Sequence, residues 1–133
     1  MILSVFIFSE EATTTTTTTT AATTYDVSTG CQVKCTDVFT TCGATTNGQS
    51  CVAKCPDMTS CLTSGGTVWG TNVYTDDSSM CRAAINAGVI PATGGVVEVT
   101  KVAGQGSYSS SSDNGVATNT YGSWPGSCSF SAA

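Results

Sequence analysis

Cysteine offers more chemistry than any other residue type in this chain. Eight thiols stand at Cys31, Cys35, Cys42, Cys51, Cys55, Cys61, Cys81 and Cys128. Thiolates bind metals or pair as disulfides, and spacing separates the two outcomes. The chain has no His and no C-x2-C pair, so a zinc centre lacks its usual ligands. An even, high count in 133 residues points instead to a disulfide framework made in an oxidising compartment. Cys31-x3-Cys35 and Cys51-x3-Cys55 repeat one spacing. On two antiparallel helices, cysteines at i and i+4 share a face. That arrangement would join Cys31 to Cys55 and Cys35 to Cys51.

Other chemistry is sparse. Without His, a Ser-His or Cys-His nucleophile cannot be built. Asp76 and Asp77 are adjacent and point apart, so helix capping is their plain role. A calcium site from Asp76, Asp77 and Asp113 lacks D-x-D-x-D-G spacing. No glycine-rich stretch follows a phosphate-cradling pattern. The expectation is a non-enzyme with no cofactor and no metal. Trp69, Tyr74, Tyr121 and Trp124 are able to stack on sugar rings, although large aromatics in a small domain also fill cores. Net charge is −5 with only four Lys and Arg, which argues against nucleic acid and against anionic membrane surfaces as partners. Charged residues make up only 10% of the chain, so something else must keep it soluble. Glycosylation would do so, and with no N-x-[ST] sequon any sugar would be O-linked.

These residues need elements to position them. "TVWGTNVYT" (67–75), between Gly-Gly and Asp-Asp, reads as a strand. "DDSSMCRAAINAG" (76–88) reads as a helix. Asp76, Asp77 and Ser78 supply its start, and Cys81, Ala84, Ile85 and Gly88 share one face. Gly88 can close it in the left-handed region. "GGVVEVTKV" (94–102) alternates as a strand after a Gly-Gly turn. "SDNGVAT" carries a D-N-G turn signal. "YGSWPGSCSFSA" (121–132) ends as a strand, with Trp124 and Phe130 expected in the core.

The block from "VWGTNVYTDDSSMCRAAINAGVI" through "GGVVEVTKVAGQGSYSSSSDNGVATNTYGSWPGSCSF" resembles the LCCL domain, a module of extracellular proteins. The resemblance covers roughly residues 51–130. It rests on the ordered series of Cys55-Pro56 and Cys61, the strand, the Y-T-D-D-S-S-x-C-R-A-A helix, the Gly-Gly strand, the Tyr-Ser and N-G turn, and the terminal S-W segment. It implies an α+β fold, disulfide-rich, with a central helix (about 78–88) packed in twisted antiparallel β-structure. It also implies a Cys61–Cys81 disulfide, which by closing about 20 residues would contribute roughly 3 kcal/mol. With that pair assigned, the spacing argument above would leave Cys42 for Cys128. The resemblance would pair Cys55 with one upstream cysteine near 35–42, against that spacing argument, and sequence leaves that choice open. The family pattern carries four cysteines, and the eight here depart from it. Cys128 falls where the family usually has none. The resemblance keeps carbohydrate or lipid recognition in view.

The chain then divides into an apolar head (1–12), a threonine tract (13–24) and a disulfide-rich LCCL-like domain (25–133). The head is too short to span a membrane. A signal peptide would need a basic start and small residues before the cut, where Glu10 and Glu11 stand. Ile2, Leu3, Val5, Phe6, Ile7 and Phe8 are apolar on both faces of an extended segment, as in a covered strand. The tract would reach about 40 Å when extended, enough to place that strand in a neighbouring copy. Such a head-to-tail contact builds a helical filament, making the chain a homo-oligomer. Thr13, Thr14, Thr15, Thr16, Thr17, Thr18, Thr19, Thr20, Thr23 and Thr24 are the expected O-glycan carriers. The leading expectation is therefore a structural subunit of an extracellular filament or coat. The alternative is a secreted glycan- or lipid-binding module that does not polymerise.

Overall fold

The computed structural model describes residues 30–133. The segment Ile2–Phe8 expected to act as an assembly strand and the threonines expected to carry O-glycans lie outside the described residues, as does the start of the 25–133 unit.

The described elements run β1 (Cys31–Gln32), a 3-10 turn (Phe39–Cys42), β2 (Ser50–Cys55), β3 (Gly70–Thr71), β4 (Val73–Thr75), α1 (Met80–Asn86), β5 (Gly95–Gln105), β6 (Ser112–Asp113), β7 (Val116–Ala117) and β8 (Trp124–Ala132). Six strands form one sheet in the order β1-β2-β5-β8-β4-β3, and β6-β7 is a separate hairpin. Only β1-β2 is parallel. The fold is thus mostly sheet with one short helix, α+β and disulfide-rich.

The sheet turns one face to α1. Cys51, Ala53 and Cys55 of β2 alternate inward, opposite Val99, Val97 and Gly95 of β5. Small side chains here leave room for the helix. Every residue of α1 is buried, so it is a core element. Its end matches the sequence reading. Gly88 takes φ +79°, its N–H bonds the Ile85 carbonyl, and Val89 N–H reaches back to Ala84. That six-to-one and five-to-two pair satisfies the carbonyls left over at a helix end. The start differs from expectation. The N-cap is Ser79, which makes no side-chain capping bond, and Asp76 is engaged elsewhere.

Residues 67–75 differ as well. Gly70 at φ +116° and Asn72 at φ +66° fold the expected single strand into the β3-β4 hairpin. The D-N-G signal is the β6-β7 turn, with Asn114 and Gly115 both left-handed, as two-residue hairpins require.

The disulfides are Cys35–Cys61 and Cys55–Cys81. This corrects the expected Cys61–Cys81 pair and the Cys31–Cys55 and Cys35–Cys51 pairs. The twin C-x3-C segments are not helices. Cys51 and Cys55 lie on one strand, where a period of two turns both inward. Cys55, at the strand's end, meets α1. Cys35 sits in a turn whose carbonyl accepts from Ser79 Oγ at 2.9 Å, next to the 61–65 loop. Cys128 is buried in β8 and is not bonded to Cys42.

Candidate functional site

Four aromatic residues were candidates for stacking, and the fold separates them. Tyr74 is fully buried, packed on Phe130 with ring centroids 5.6 Å apart. Its hydroxyl donates to Asn86 Oδ1 at 2.8 Å. It is a core residue. Trp69, Tyr121 and Trp124 instead form one row. The Trp69 and Tyr121 centroids are 6.0 Å apart at 65°, and those of Tyr121 and Trp124 are 5.6 Å apart at 81°. Both contacts are edge-to-face, the arrangement that ring quadrupoles favour. Tyr121 stands between its neighbours and is 41% exposed. Trp69 and Trp124 are half-buried.

Each ring is held from below by backbone pairing. Trp69 bridges Asn119, and its N–H donates to Ser78 Oγ at 3.0 Å. Tyr121 exchanges both backbone hydrogen bonds with buried Tyr108. Trp124 opens β8 opposite Gln105 of β5. Its Nε1 donates to Asp76 Oδ1 at 2.9 Å, while Lys101 Nζ lies 3.4 Å from Asp76 Oδ2. Asp76 therefore fixes a tryptophan rotamer, a role that its place before the helix does not suggest. Trp124 and Phe130, expected in the core, are half-buried, and Phe130 packs against the core beside Tyr74. Tyr108 and Asn119 were missed as site residues and Asp76 was read as a helix cap, because the contacts that place them in the site join segments separate in sequence.

A concavity of about 440 Å³ lies apart from this row at the end of α1, lined by Ile85, Val89, Ile90, Pro91, Ala92 and Asn114. Its surface is nearly balanced between polar and apolar, and its lining residues include no cation. Arg82 is buried in the core instead. Its Nε donates to the Leu62 carbonyl at 2.7 Å and its Nη1 to the Gly66 carbonyl, pinning the loop that follows Cys61. Burial lowers its pKa. Among the described residues, no group of three or more His, Cys, Asp or Glu is placed to hold a metal ion. Asp76, Asp77 and Asp113 are not brought together as a calcium site. No helix among the described residues is long and apolar enough to cross a membrane.

The surface therefore offers a row of partly exposed rings, with the mutually neutralising Asp76–Lys101 pair beside Trp124. Such a surface takes flat, uncharged ligands with C–H faces.

The family model for the LCCL domain matches residues 11–128. Vitrin of Homo sapiens is 41% identical over 73 residues, 55% of this chain and 10% of vitrin. Clotting factor C of Tachypleus tridentatus is 45% identical over 56 residues, 42% of this chain and 6% of that protein. Cysteine-rich secretory protein LCCL domain-containing 1 of Homo sapiens is 43% identical over 63 residues, 47% of this chain and 13% of that protein. The matched region is about a tenth of the length of these relatives.

Proposed function

Because the chain belongs to the LCCL domain family, we propose that it is an extracellular, non-enzymatic module that binds neutral glycan on the Trp69–Tyr121–Trp124 face. The carrying observation is the row itself, three rings in contact with the middle one 41% exposed. The exposed part of the Tyr121 ring, continuous with two neighbouring rings, is apolar surface available to a ligand. The C–H face of a pyranose covers such a ring without displacing any charge. Two disulfides and a relative named as a secretory protein support an oxidising, extracellular setting. A chain without His leaves catalysis without its commonest base.

The filament reading has less behind it. Strand donation by Met1–Phe8 and O-glycosylation of Thr13–Thr20, Thr23 and Thr24 rest on residues outside the described ones, and no observation within 30–133 favours them. Lipid binding would use the cleft beside Val89 and Ile90, which has no cation for a headgroup phosphate.

The test is a glycan array probed with the full chain, followed by titration of the best neutral oligosaccharide. Tyr121→Ala should weaken binding about tenfold or more, roughly 1.4 kcal/mol, with little change in stability. Tyr121→Phe should retain it. Array signal that survives both Tyr121→Ala and Trp69→Ala would refute the site. An array with no signal would refute the function.

A further inference from the structure

Four cysteines lie outside the two disulfides, and three of them form a group. The β1-β2 register sets Cys31 opposite Ala53, and Cys51 is two residues before Ala53 on the same buried face of β2. Ala53 projects only a methyl between them. Cys42 ends the 3-10 turn with its side chain buried, and the Cys31 thiol donates to the carbonyl of the preceding residue, Thr41, at 3.8 Å. The Cys42 thiol lies between the other two, in side-chain hydrogen-bonding contact with both Cys31 and Cys51. Cys42 and Cys51 are 3% and 2% exposed, whereas Cys31 is half-exposed. Cys128 is buried in β8, on a different strand.

We propose that Cys42 and Cys51 form a third disulfide, bonding the 3-10 turn to β2, and that Cys31 is the surface thiol through which the oxidising equivalent arrives.

The oxidant is a small-molecule disulfide such as oxidised glutathione. The Cys31 sulfur attacks it, one glutathione thiolate leaves, and a mixed disulfide forms. Cys42 attacks the Cys31 sulfur and expels the second glutathione, giving Cys31–Cys42. Cys51 attacks the Cys42 sulfur and releases Cys31 as a thiol. Two protein thiols lose two electrons and two protons, and one disulfide becomes two glutathione thiols. Burial, with the hydrogen bond to Cys42, pushes the Cys31 thiol up to about 12, so the first exchange is slow. The hydrogen bond from Cys42 favours the Cys51 thiolate, which makes it the attacking sulfur in the last step.

The experiment exposes the folded full chain to oxidised glutathione. Accessible and buried thiols are then blocked under denaturant with one alkylating reagent. After reduction, the newly freed thiols are labelled with a second and mapped by mass spectrometry. The expected result is first label only on Cys31 and Cys128 and second label on the other six. First label on both Cys42 and Cys51 would overturn the proposal, and so would an end state with Cys31 carrying the second label. Cys31→Ser should reach the same Cys42–Cys51 product at least tenfold more slowly. An unchanged rate would overturn the relay. The wild-type map does not depend on any variant folding.

Discussion

Tyr74 illustrates how one hydroxyl reports on the core. Burial raises its pKa to about 12 from an ordinary 10. Cys128 and Asp113 push the same way, while a hydrogen bond to the Asn72 backbone pushes back. The folded state therefore keeps the phenol proton after the unfolded chain has released it. Its contribution is fully present below pH 10 and is lost as pH rises through 12, about 3 kcal/mol in all. By pH 11 the loss should be about 1.4 kcal/mol. Tyr74→Phe removes the hydroxyl that donates to Asn86 Oδ1. Asn86 keeps a 3.3 Å hydrogen bond from Ser111 Oγ, so the cost near neutrality should be about 1 kcal/mol. Urea midpoints at pH 9 and pH 11 check both numbers. The wild type should lose its advantage over Tyr74→Phe across that interval. A constant difference would mean that the phenol is not shielded.

Among the elements, the β5-β8 pair carries most of the sheet and also aims Trp124. The strands approach so closely at Gly104 that an added Cβ would meet the Trp124 carbonyl oxygen and the Pro125 backbone. Backbone atoms cannot yield as a flexible side chain can. Gly104→Ala should cost about 2–4 kcal/mol and disturb the aromatic row. Gly106→Ala, with open space around it, should stay within about 0.5 kcal/mol. Thermal melts of the two variants decide this, and equal melting points would refute the close approach. Breaking Cys55–Cys81, which clamps β2 to α1, should cost about 2–5 kcal/mol, measured on Cys55→Ala/Cys81→Ala. Much of this architecture was legible. The Val97/Val99 alternation, the Gly88 helix stop and the D-N-G turn are local signals, and local geometry honours them. The β2 strand was not legible. Its inward residues are Cys51, Ala53 and Cys55, so a strand face looked like a crosslinking pattern. The pairings drawn from spacing, Cys31–Cys55 and Cys35–Cys51, failed for the same reason, because a spacing of four means one face on a strand as well as on a helix. The aromatic row was half legible. Residue types marked Trp69, Tyr121 and Trp124, but only the Trp69–Asn119 and Tyr108–Tyr121 bridges reveal which rings meet.

At the scale of the whole molecule, the decisive property is how little charge there is. The chain holds four cations and nine carboxylates. Of the cations, Arg82 is buried on backbone carbonyls and Lys101 is beside Asp76. Little remains to draw in an anionic ligand, and electrostatic steering should contribute almost nothing to association. Binding at the Tyr121 face should then depend on ring contact and water exclusion, which salt screens weakly. Titration of a neutral oligosaccharide between 50 mM and 500 mM NaCl should change Kd by less than about twofold, since no counterions are released. A ligand held by phosphate or carboxylate groups would instead lose affinity steeply over that range. A steep fall would move the site away from the three rings and towards the few exposed lysines, Lys34 and Lys54. A flat response lost on Tyr121→Ala would fix recognition on the aromatic row, because no other large apolar side chain among the described residues stands comparably exposed.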